Sequence, residues 1–271
     1  MRMLKLFTFL ACFIAISFVI QGYFNHDHEK SKAKNSIVKG HQTDLEFKKL
    51  ETDEELNSSN GKKTVYLTFD DGPSSATTHI LDTLHEFNAK ATFFMLEPSM
   101  KKFPEAVLKI VEEGHAVGLH GVTHNKDLFY KSEKSALNEM TTAQATLEQI
   151  TRIKTNLIRT PYGSVPYLTE SYRKVLDRHG FKLWDWNVDS SDWSLSGEKY
   201  VNTVIRQIEK LIDAGETPII LMHDKENTAN QLHNLLTYLT EHGFQMKKIE
   251  ENTKPYNFNC YDRCRRLSTR D

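Results

Sequence analysis

The chain has 271 residues, of which 39% are hydrophobic and 26% are charged, and its formal net charge at pH 7 is −1. This length fits one large domain with a full core, or two small ones. Charges of both signs are interspersed, so the sequence has no basic footprint, and we expect no nucleic-acid partner.

An almost unbroken apolar run covers Leu6 to Phe24 and follows the basic residues Arg2 and Lys5. Its length is close to the roughly 20 residues that a helix needs to cross a bilayer. We expect residues 1–24 to be an uncleaved signal-anchor in the cell membrane, with the rest of the chain outside the cytoplasm, because the positive charges precede the span. A cleaved signal peptide, which would release a secreted protein, is the alternative.

Two further segments flank the predicted folded domain. Residues 25–62 are polar and charged, and because such a stretch cannot bury enough surface to fold alone, we interpret it as a solvated stalk. Residues 255–271 are predicted to form a C-terminal tail, which contains Cys260 and Cys264. Two cysteines this close could pair in an exported protein, but their spacing does not establish the geometry.

Residues 63–254 alternate regularly between predicted strands and helices. Short apolar or β-branched runs predict seven strands, at residues 64–69, 91–96, 115–119, 157–159, 181–186, 218–222 and 244–249. The stretches between them predict helices at residues 78–87, 104–113, 135–151, 168–179, 200–213 and 229–242. Repeated strand-then-helix units predict an α/β fold with a parallel sheet, closed as a (β/α)7-type barrel. An open doubly wound sheet has the same periodicity and is the alternative.

Polar residues follow most of the predicted strands. They are Asp70 and Asp71 after the first strand, His120 and His124 after the third, Arg159 at the end of the fourth, Asp189 and Asp192 after the fifth, and His223 after the sixth. In a parallel barrel these loops open on one face, so we expect these side chains to meet at one mouth.

The run from Asp70 to Pro73 is by itself a common turn signal. However, two adjacent carboxylates after a buried strand repel each other unless a cation or a base lies close to them. His120 and His124 are four residues apart, a spacing that can place both imidazoles on one ion. Together these residues predict a metal-dependent hydrolytic site.

His223 lies just beyond an apolar run, where a histidine is well placed for proton transfer near neutral pH. A nearby aspartate such as Asp192 would orient its ring and raise its basicity. An arginine beside a carboxylate base would hold that base ionised, a role open to Arg159. Each residue also has a plain structural reading, as a rim histidine, a loop aspartate or a solvated strand end.

Five segments together resemble, in order and in residue type, the motifs of the polysaccharide deacetylases, carbohydrate esterase family 4 with the NodB homology domain. They are Thr68–Pro73, His120-x-x-x-His124, Arg159–Tyr162, Asp189-x-x-Asp192-Trp193 and Leu221–His223. The resemblance covers roughly residues 64–250 and implies a distorted barrel. With its N-terminal context, the chain resembles the membrane-anchored peptidoglycan N-acetylglucosamine deacetylases of bacilli.

The resemblance implies a metal site and a general base. Asp71, His120 and His124 would bind a divalent ion, most often Zn²⁺, with Co²⁺ or another divalent ion as alternatives. Asp70 would take a proton from the attacking water, and Arg159 would hold Asp70 in place.

The resemblance also implies an acid and a substrate-binding set. His223 would protonate the leaving amine, tuned by Asp192. The implied substrate-binding residues are Pro161, Tyr162 through its backbone amide, and Trp193 and Leu221 as walls of an acetyl pocket. One position departs from the family pattern, because a Ser or Thr usually follows the first metal-binding histidine and this chain has Gly121. We therefore expect an intact metal site in a looser loop.

The expected activity is removal of N-acetyl groups from N-acetylglucosamine in peptidoglycan, because an anchor and a stalk would present the domain to the cell wall. N-acetylmuramic acid, chitin oligomers and acetyl xylan are alternative substrates. A carbohydrate-binding pseudoenzyme is a different class, which the complete set of base, acid and ligands disfavours. A metal-dependent phosphoesterase would explain the metal site but not the segments around Arg159 and His223.

Overall fold

The structure, a computed structural model, describes residues 63–259. Eight strands occur in this range: β1 (Lys63–Asp70), β2 (Thr92–Met95), β3 (Ala116–Leu119), β4 (Leu157–Ile158), β5 (Lys182–Leu183), β6 (Val188–Asp189), β7 (Ile219–His223) and β8 (Phe244–Lys247). The helices of the same range are α1 (Thr77–Glu86), α2 (Glu97–Lys102), α3 (Pro104–Glu112), α4 (Lys126–Phe129), α5 (Glu133–Thr151), α6 (Glu170–Arg178), α7 (Glu198–Asp213) and α8 (Glu226–Glu241).

All eight strands form one sheet, and every pair of neighbours is parallel. The order is β5-β4-β3-β2-β1-β7-β6, and β8 pairs with the first half of β1. Within residues 63–259 no ladder joins β5 to β6, so the sheet is a half-barrel. The predicted parallel α/β architecture is confirmed, and the expected distorted (β/α)7-type barrel is, within the described residues, a half-barrel that is open between β5 and β6.

The opening between β5 and β6 has a simple physical cause. The sequence predicted one strand over residues 181–186, but in the structure only Lys182–Leu183 of that range forms a strand, and β6 follows beyond it at Val188–Asp189. Two neighbouring parallel strands need a crossover of about a dozen residues, and this connection is far too short. β5 and β6 are therefore not paired with each other, and they are the first and last strands of the order β5-β4-β3-β2-β1-β7-β6.

Side chains of β1 alternate between two hydrophobic clusters. Val65, Leu67 and Phe69 belong to the larger cluster, whereas Tyr66 packs against the smaller one. Because strand side chains point to opposite faces in turn, Asp70 shares the face of Tyr66. The strand pattern thus packs one face into the main core and directs the carboxylate of Asp70 away from it.

Two short helices, α2 and α4, were not predicted, because four to six residues are too few to show a helical period. None of the helices in the described part of the chain is long and apolar enough to cross a membrane. The predicted anchor, the stalk, Cys260 and Cys264 lie outside the described residues. Of the predicted tail, Phe258 donates its backbone N–H at 2.8 Å to Oδ2 of Asp185, which lies in the segment between β5 and β6.

Candidate functional site

The register of the sheet brings the chemically interesting residues to the carboxyl ends of adjacent strands. Asp70, the last residue of β1, pairs directly with His223, the last residue of β7. His120 and Arg159 each follow the residues that pair β3 with β4. The predicted meeting of these side chains at one mouth is therefore found in the structure.

A cavity of about 530 Å³ opens at this mouth, within the size range of ligand-binding clefts. It is lined by Asp70, Asp71, His120, His124, Tyr162, Gly163, Trp186, Asp189, Trp193, Leu221, His223 and Lys225. Three predicted site residues, Arg159, Pro161 and Asp192, do not line it and are buried. The site therefore has an accessible set of groups and a buried set that supports them.

The carboxylate of Asp71 faces both predicted histidine ligands. Its Oδ1 lies 3.5 Å from His120 Nε2 and 3.4 Å from His124 Nε2. This oxygen is buried and finds no hydrogen-bond partner among the residues that the structure describes. Tetrahedral zinc with bonds of about 2.0–2.1 Å holds its ligand atoms roughly 3.3–3.4 Å apart. The three residues thus form a candidate metal site, and their spacing and the orphaned oxygen fit one cation.

The surroundings of both histidines suit metal binding. The Nδ1 atom of His120 lies 2.7 Å from the carbonyl oxygen of Arg159. Because a carbonyl only accepts, Nδ1 donates this hydrogen bond, and Nε2 is the ring nitrogen that faces Asp71. Burial, together with the neighbouring His120, lowers the pKa of His124 and keeps its imidazole neutral.

Unusual backbone conformations concentrate around the cavity. Asp71, His124, Tyr162 and Ser191 have positive φ angles of 72°, 44°, 65° and 54°. Residues other than glycine adopt this region rarely, and such strain persists where surrounding contacts impose it. These backbone conformations therefore lower the local stability of the loops, and they orient side chains and backbone amides toward the cavity.

Asp70 is held by a fully buried arginine. Its Oδ1 accepts a hydrogen bond from Arg159 Nη1 at 2.9 Å. The same guanidinium donates to Thr68 Oγ1 at 2.7 Å and to the carbonyls of Trp184 and Asp185 at 3.2 and 3.1 Å. A buried charge is tolerated when it is paired and its donors are satisfied, as here. The pair fixes a carboxylate at the cavity wall beside the candidate metal site.

His223 forms a second pair with Asp192. Its Nδ1 lies 2.7 Å from Asp192 Oδ1, and its backbone N–H donates to Asp192 Oδ2 at 2.8 Å. The hydroxyl of Thr228 also donates to that carboxylate. Burial alone would lower the pKa of His223, but the hydrogen bond and the charge of Asp192 outweigh it and raise that pKa. Burial would raise the pKa of Asp192, and the same contacts lower it instead.

The predicted substrate-binding residues lie in different places. Trp193 is 64% exposed at the rim, and Tyr162, also exposed, donates its hydroxyl to the carbonyl of His124 at 3.0 Å. Leu221 lines the cavity itself. Pro161 is buried, and its carbonyl accepts a hydrogen bond from Tyr130 at 2.8 Å, so it supports the loop of Tyr162 from behind.

Sequence reasoning missed several residues of the site. Lys225 and Trp186 line the cavity without belonging to any predicted set. Asp224 accepts hydrogen bonds from Ser74 and Thr77, both at 2.7 Å, and so ties the loop after β1 to the end of β7. Its position directly after His223 was the one available signal, since its partners lie about 150 residues away.

The candidate metal site makes a testable prediction about stability. A ligand that binds only the folded state stabilises it by about 2.7 kcal/mol at a hundred times its dissociation constant. We expect Zn²⁺ to raise the thermal midpoint of the chelator-treated protein, and Asp71→Asn to abolish that rise. In the control Asp213→Asn, at the exposed end of α7, the rise should persist. An equal rise in Asp71→Asn would exclude Asp71 as a ligand.

Comparison with known proteins gives a consistent picture. A family model for polysaccharide deacetylases matches residues 57–184. YheN of Bacillus subtilis, whose name places it among the polysaccharide deacetylases, is 43% identical over 261 residues, 90% of each chain. A peptidoglycan-N-acetylglucosamine deacetylase of Bacillus cereus is 36% identical over 267 residues, 95% of this chain and 97% of its own. A crystal structure of a Bacillus cereus polysaccharide deacetylase superposes with a TM-score of 0.67 at 36% identity, covering 73% of this chain and 97% of that chain.

The chain therefore belongs to the polysaccharide deacetylase family, a family of hydrolases. The resemblance drawn from the five sequence motifs is confirmed, and so is the enzyme class it implied. The match to the family model ends at residue 184, before Asp192 and His223. For those two residues, the pairing seen in the structure is the direct observation.

Proposed function

We propose that this protein is a metal-dependent deacetylase that removes N-acetyl groups from N-acetylglucosamine residues of peptidoglycan. One observation carries the proposal. A single cavity brings together a buried carboxylate, Asp70, a three-residue candidate cation site, and a histidine of raised pKa, His223. Amide hydrolysis needs a base, an electrophile that polarises the carbonyl, and an acid for the leaving nitrogen.

Asp71, His120 and His124 would hold the divalent ion, and in our proposal that ion is Zn²⁺. When bound there, it supplies Lewis-acid polarisation of the acetyl carbonyl and of water. Asp70 takes the proton from the attacking water, because it lies at the cavity wall with Oδ2 only 3.7 Å from His120 Nε2. Arg159 keeps that carboxylate correctly oriented through its 2.9 Å contact.

His223 protonates the leaving amine. An amine is a poor leaving group unless it gains a proton, and the raised pKa of His223 keeps its ring charged at higher pH. Asp192 holds the ring through Nδ1, which leaves Nε2 to deliver the proton. Asp70 and His223 end paired neighbouring strands, about 4.8 Å apart, so both reach the same amide group.

The remaining cavity residues bind the sugar and its acetyl group. Leu221 gives an apolar wall for the acetyl methyl. Trp193, exposed at the rim, offers a ring face on which a sugar can stack. We assign the backbone amide of Tyr162, held at positive φ, to the developing oxyanion, because fixed donors stabilise charge that appears during reaction.

One observation and one prediction from the sequence support peptidoglycan as the substrate. The Bacillus cereus relative that covers 95% of this chain is named a peptidoglycan-N-acetylglucosamine deacetylase. In addition, the predicted signal-anchor at residues 1–24 and the stalk at residues 25–62 would present the domain to the cell wall from the membrane. The proposal thus places the enzyme as a single-pass protein of the cell membrane, acting outside the cytoplasm.

The pH dependence tests the role of the His223–Asp192 pair. In Asp192→Asn the carboxylate charge that raises the pKa of His223 is lost, so that pKa falls. A general acid with a lower pKa loses its proton at lower pH, and the descending alkaline limb of kcat/KM should shift to lower pH. An alkaline limb at the same pH in Asp192→Asn and in the wild type would contradict the assignment of His223 as the acid.

Mass analysis of muropeptides tests the substrate directly. Purified peptidoglycan is treated with the Zn²⁺-loaded protein and digested, and each sugar is examined for loss of an acetyl group. We expect the loss on N-acetylglucosamine, and far less of it with Asp70→Asn over the same reaction time. Loss on N-acetylmuramic acid alone would exclude the glucosamine assignment, and no loss from either sugar would exclude peptidoglycan as the substrate.

A further inference from the structure

The loop from His120 to His124 carries two of the three candidate metal ligands, and one carboxylate from α5 holds its middle. Glu139 Oε2 accepts hydrogen bonds from the backbone N–H groups of Val122 at 2.9 Å and Thr123 at 3.0 Å. Its Oε1 accepts from the hydroxyl of Thr123 at 2.7 Å. A single side chain therefore binds three donors of the loop.

Gly121 allows this carboxylate to come close. Its φ angle of +89° is one that residues with a side chain rarely adopt. A Cβ atom there would lie 3.0 Å from Glu139 Oε2 and 3.3 Å from the ring of Phe129. The absence of a side chain at residue 121 thus does not leave the loop without support, because the support comes from α5.

Other contacts fix the two ends of the loop. The N–H of His120 donates to the carbonyl of Met95 at 2.8 Å, and the carbonyl of His124 accepts from Tyr162. Between these ends, the amides of Val122 and Thr123 point to Glu139. Backbone N–H groups need hydrogen-bond acceptors, and here one protein side chain serves as the acceptor for both amides.

We propose that Glu139 is a positioning residue of the metal site, which keeps the imidazoles of His120 and His124 in register with Asp71. Partners that orient metal ligands commonly change metal affinity by about 10–100-fold when they are removed. The inference deepens the proposed function and rests on its metal site. It adds a residue that none of the sequence motifs contains.

Zinc affinity of the full chain tests the proposal. The dissociation constant for Zn²⁺ is measured by competition with a chromophoric chelator, for the wild type, Glu139→Ala, Glu139→Gln and the control Glu148→Gln. Glu148 is an exposed carboxylate on the same helix. We expect Glu139→Ala to weaken Zn²⁺ binding by about 10–100-fold, Glu139→Gln to weaken it less, and the control to leave it unchanged.

A spectroscopic signature separates positioning from general stability. The d–d absorption of the Co²⁺-loaded protein reports the arrangement of ligands, so it should change in Glu139→Ala and remain the same in Glu148→Gln. Wild-type affinity and an unchanged Co²⁺ spectrum in Glu139→Ala would overturn the proposal. If that variant does not fold, the same result in Glu139→Gln overturns it. Acetate release is measured separately, so a wild type that binds Zn²⁺ without hydrolysing any glycan would refute the proposed function and not this inference.

Discussion

Asp70→Asn is expected to lower kcat for acetate release by about 10²–10⁴-fold, the usual contribution of a positioned general base. Asparagine keeps the size of the side chain and one oxygen for the hydrogen bond from Arg159, so the local packing is retained. What is lost is the negative charge that accepts the proton. The loss should therefore fall on kcat, with KM changed much less.

A measurement of Zn²⁺ binding distinguishes loss of the general base from damage to the candidate metal site. Asp70→Asn should still bind Zn²⁺, because the candidate ligands are Asp71, His120 and His124. The matched control is Asp127→Asn, at an exposed position in the first turn of α4, which should keep full activity. Activity of Asp70→Asn close to that of the wild type, with Zn²⁺ bound, would contradict the role of Asp70 as the base.

Arg159→Met is expected to lower the free energy of unfolding by about 3–5 kcal/mol, the usual cost of leaving a buried charge without its partner. Arg159 is fully buried, and its guanidinium also lies 4.3 Å from the ring centre of Phe94. Methionine fills part of the volume but leaves Asp70 and Thr68 without their shared donor. Activity should fall as well, because Asp70 loses the group that orients it.

Denaturant unfolding measures this effect. The control is Arg178→Met. Arg178 is exposed, and its Nε donates to the carbonyl of Lys174 in the same helix at 3.0 Å. This substitution should change the free energy of unfolding by no more than about 0.5 kcal/mol. Equal stability of Arg159→Met and Arg178→Met would show that the buried pair contributes nothing net to folding.

The site residues that directly follow a strand could be predicted from the sequence. Apolar runs marked the strands, and parallel strands bring their carboxyl ends together, so Asp70, His120 and His223 were expected at one mouth. The structure places them there, with the Asp71 carboxylate facing both histidine ligands. The family resemblance added roles that the pattern alone left open.

Contacts between distant segments could not be predicted in the same way. Glu139 lies in the middle of a long helix, where a carboxylate is usually an ordinary solvated residue, and only the packing of α5 against the loop gives it three donors. The early end of the fifth predicted strand, after Leu183, had a similar cause. Trp184 and Trp186 continued the apolar run, whereas Asp185 between them is turned toward Ser164 and the C-terminal segment.

Pro161 was expected to bind substrate, but in the structure it is buried and does not line the cavity. The resemblance placed it in the substrate-binding set with Tyr162, but its carbonyl accepts from Tyr130 beneath the loop, and its ring is buried. A motif gives the order of residues along the chain and not the direction in which each one points. The side-chain direction depends on backbone angles such as the positive φ of Tyr162. Positive φ is rare in residues other than glycine, so the sequence does not indicate it at a tyrosine.

The proposed activity is measured as release of acetate from purified peptidoglycan by the 271-residue chain loaded with Zn²⁺. We expect acetate in proportion to new free amines on glucosamine, with release lowered by about 10²–10⁴-fold in Asp70→Asn and abolished by removal of the metal ion. Chitooligosaccharide assayed in parallel shows whether the wall polymer is preferred. Protein that binds Zn²⁺ at Asp71, His120 and His124 but releases no acetate from either glycan would contradict the account.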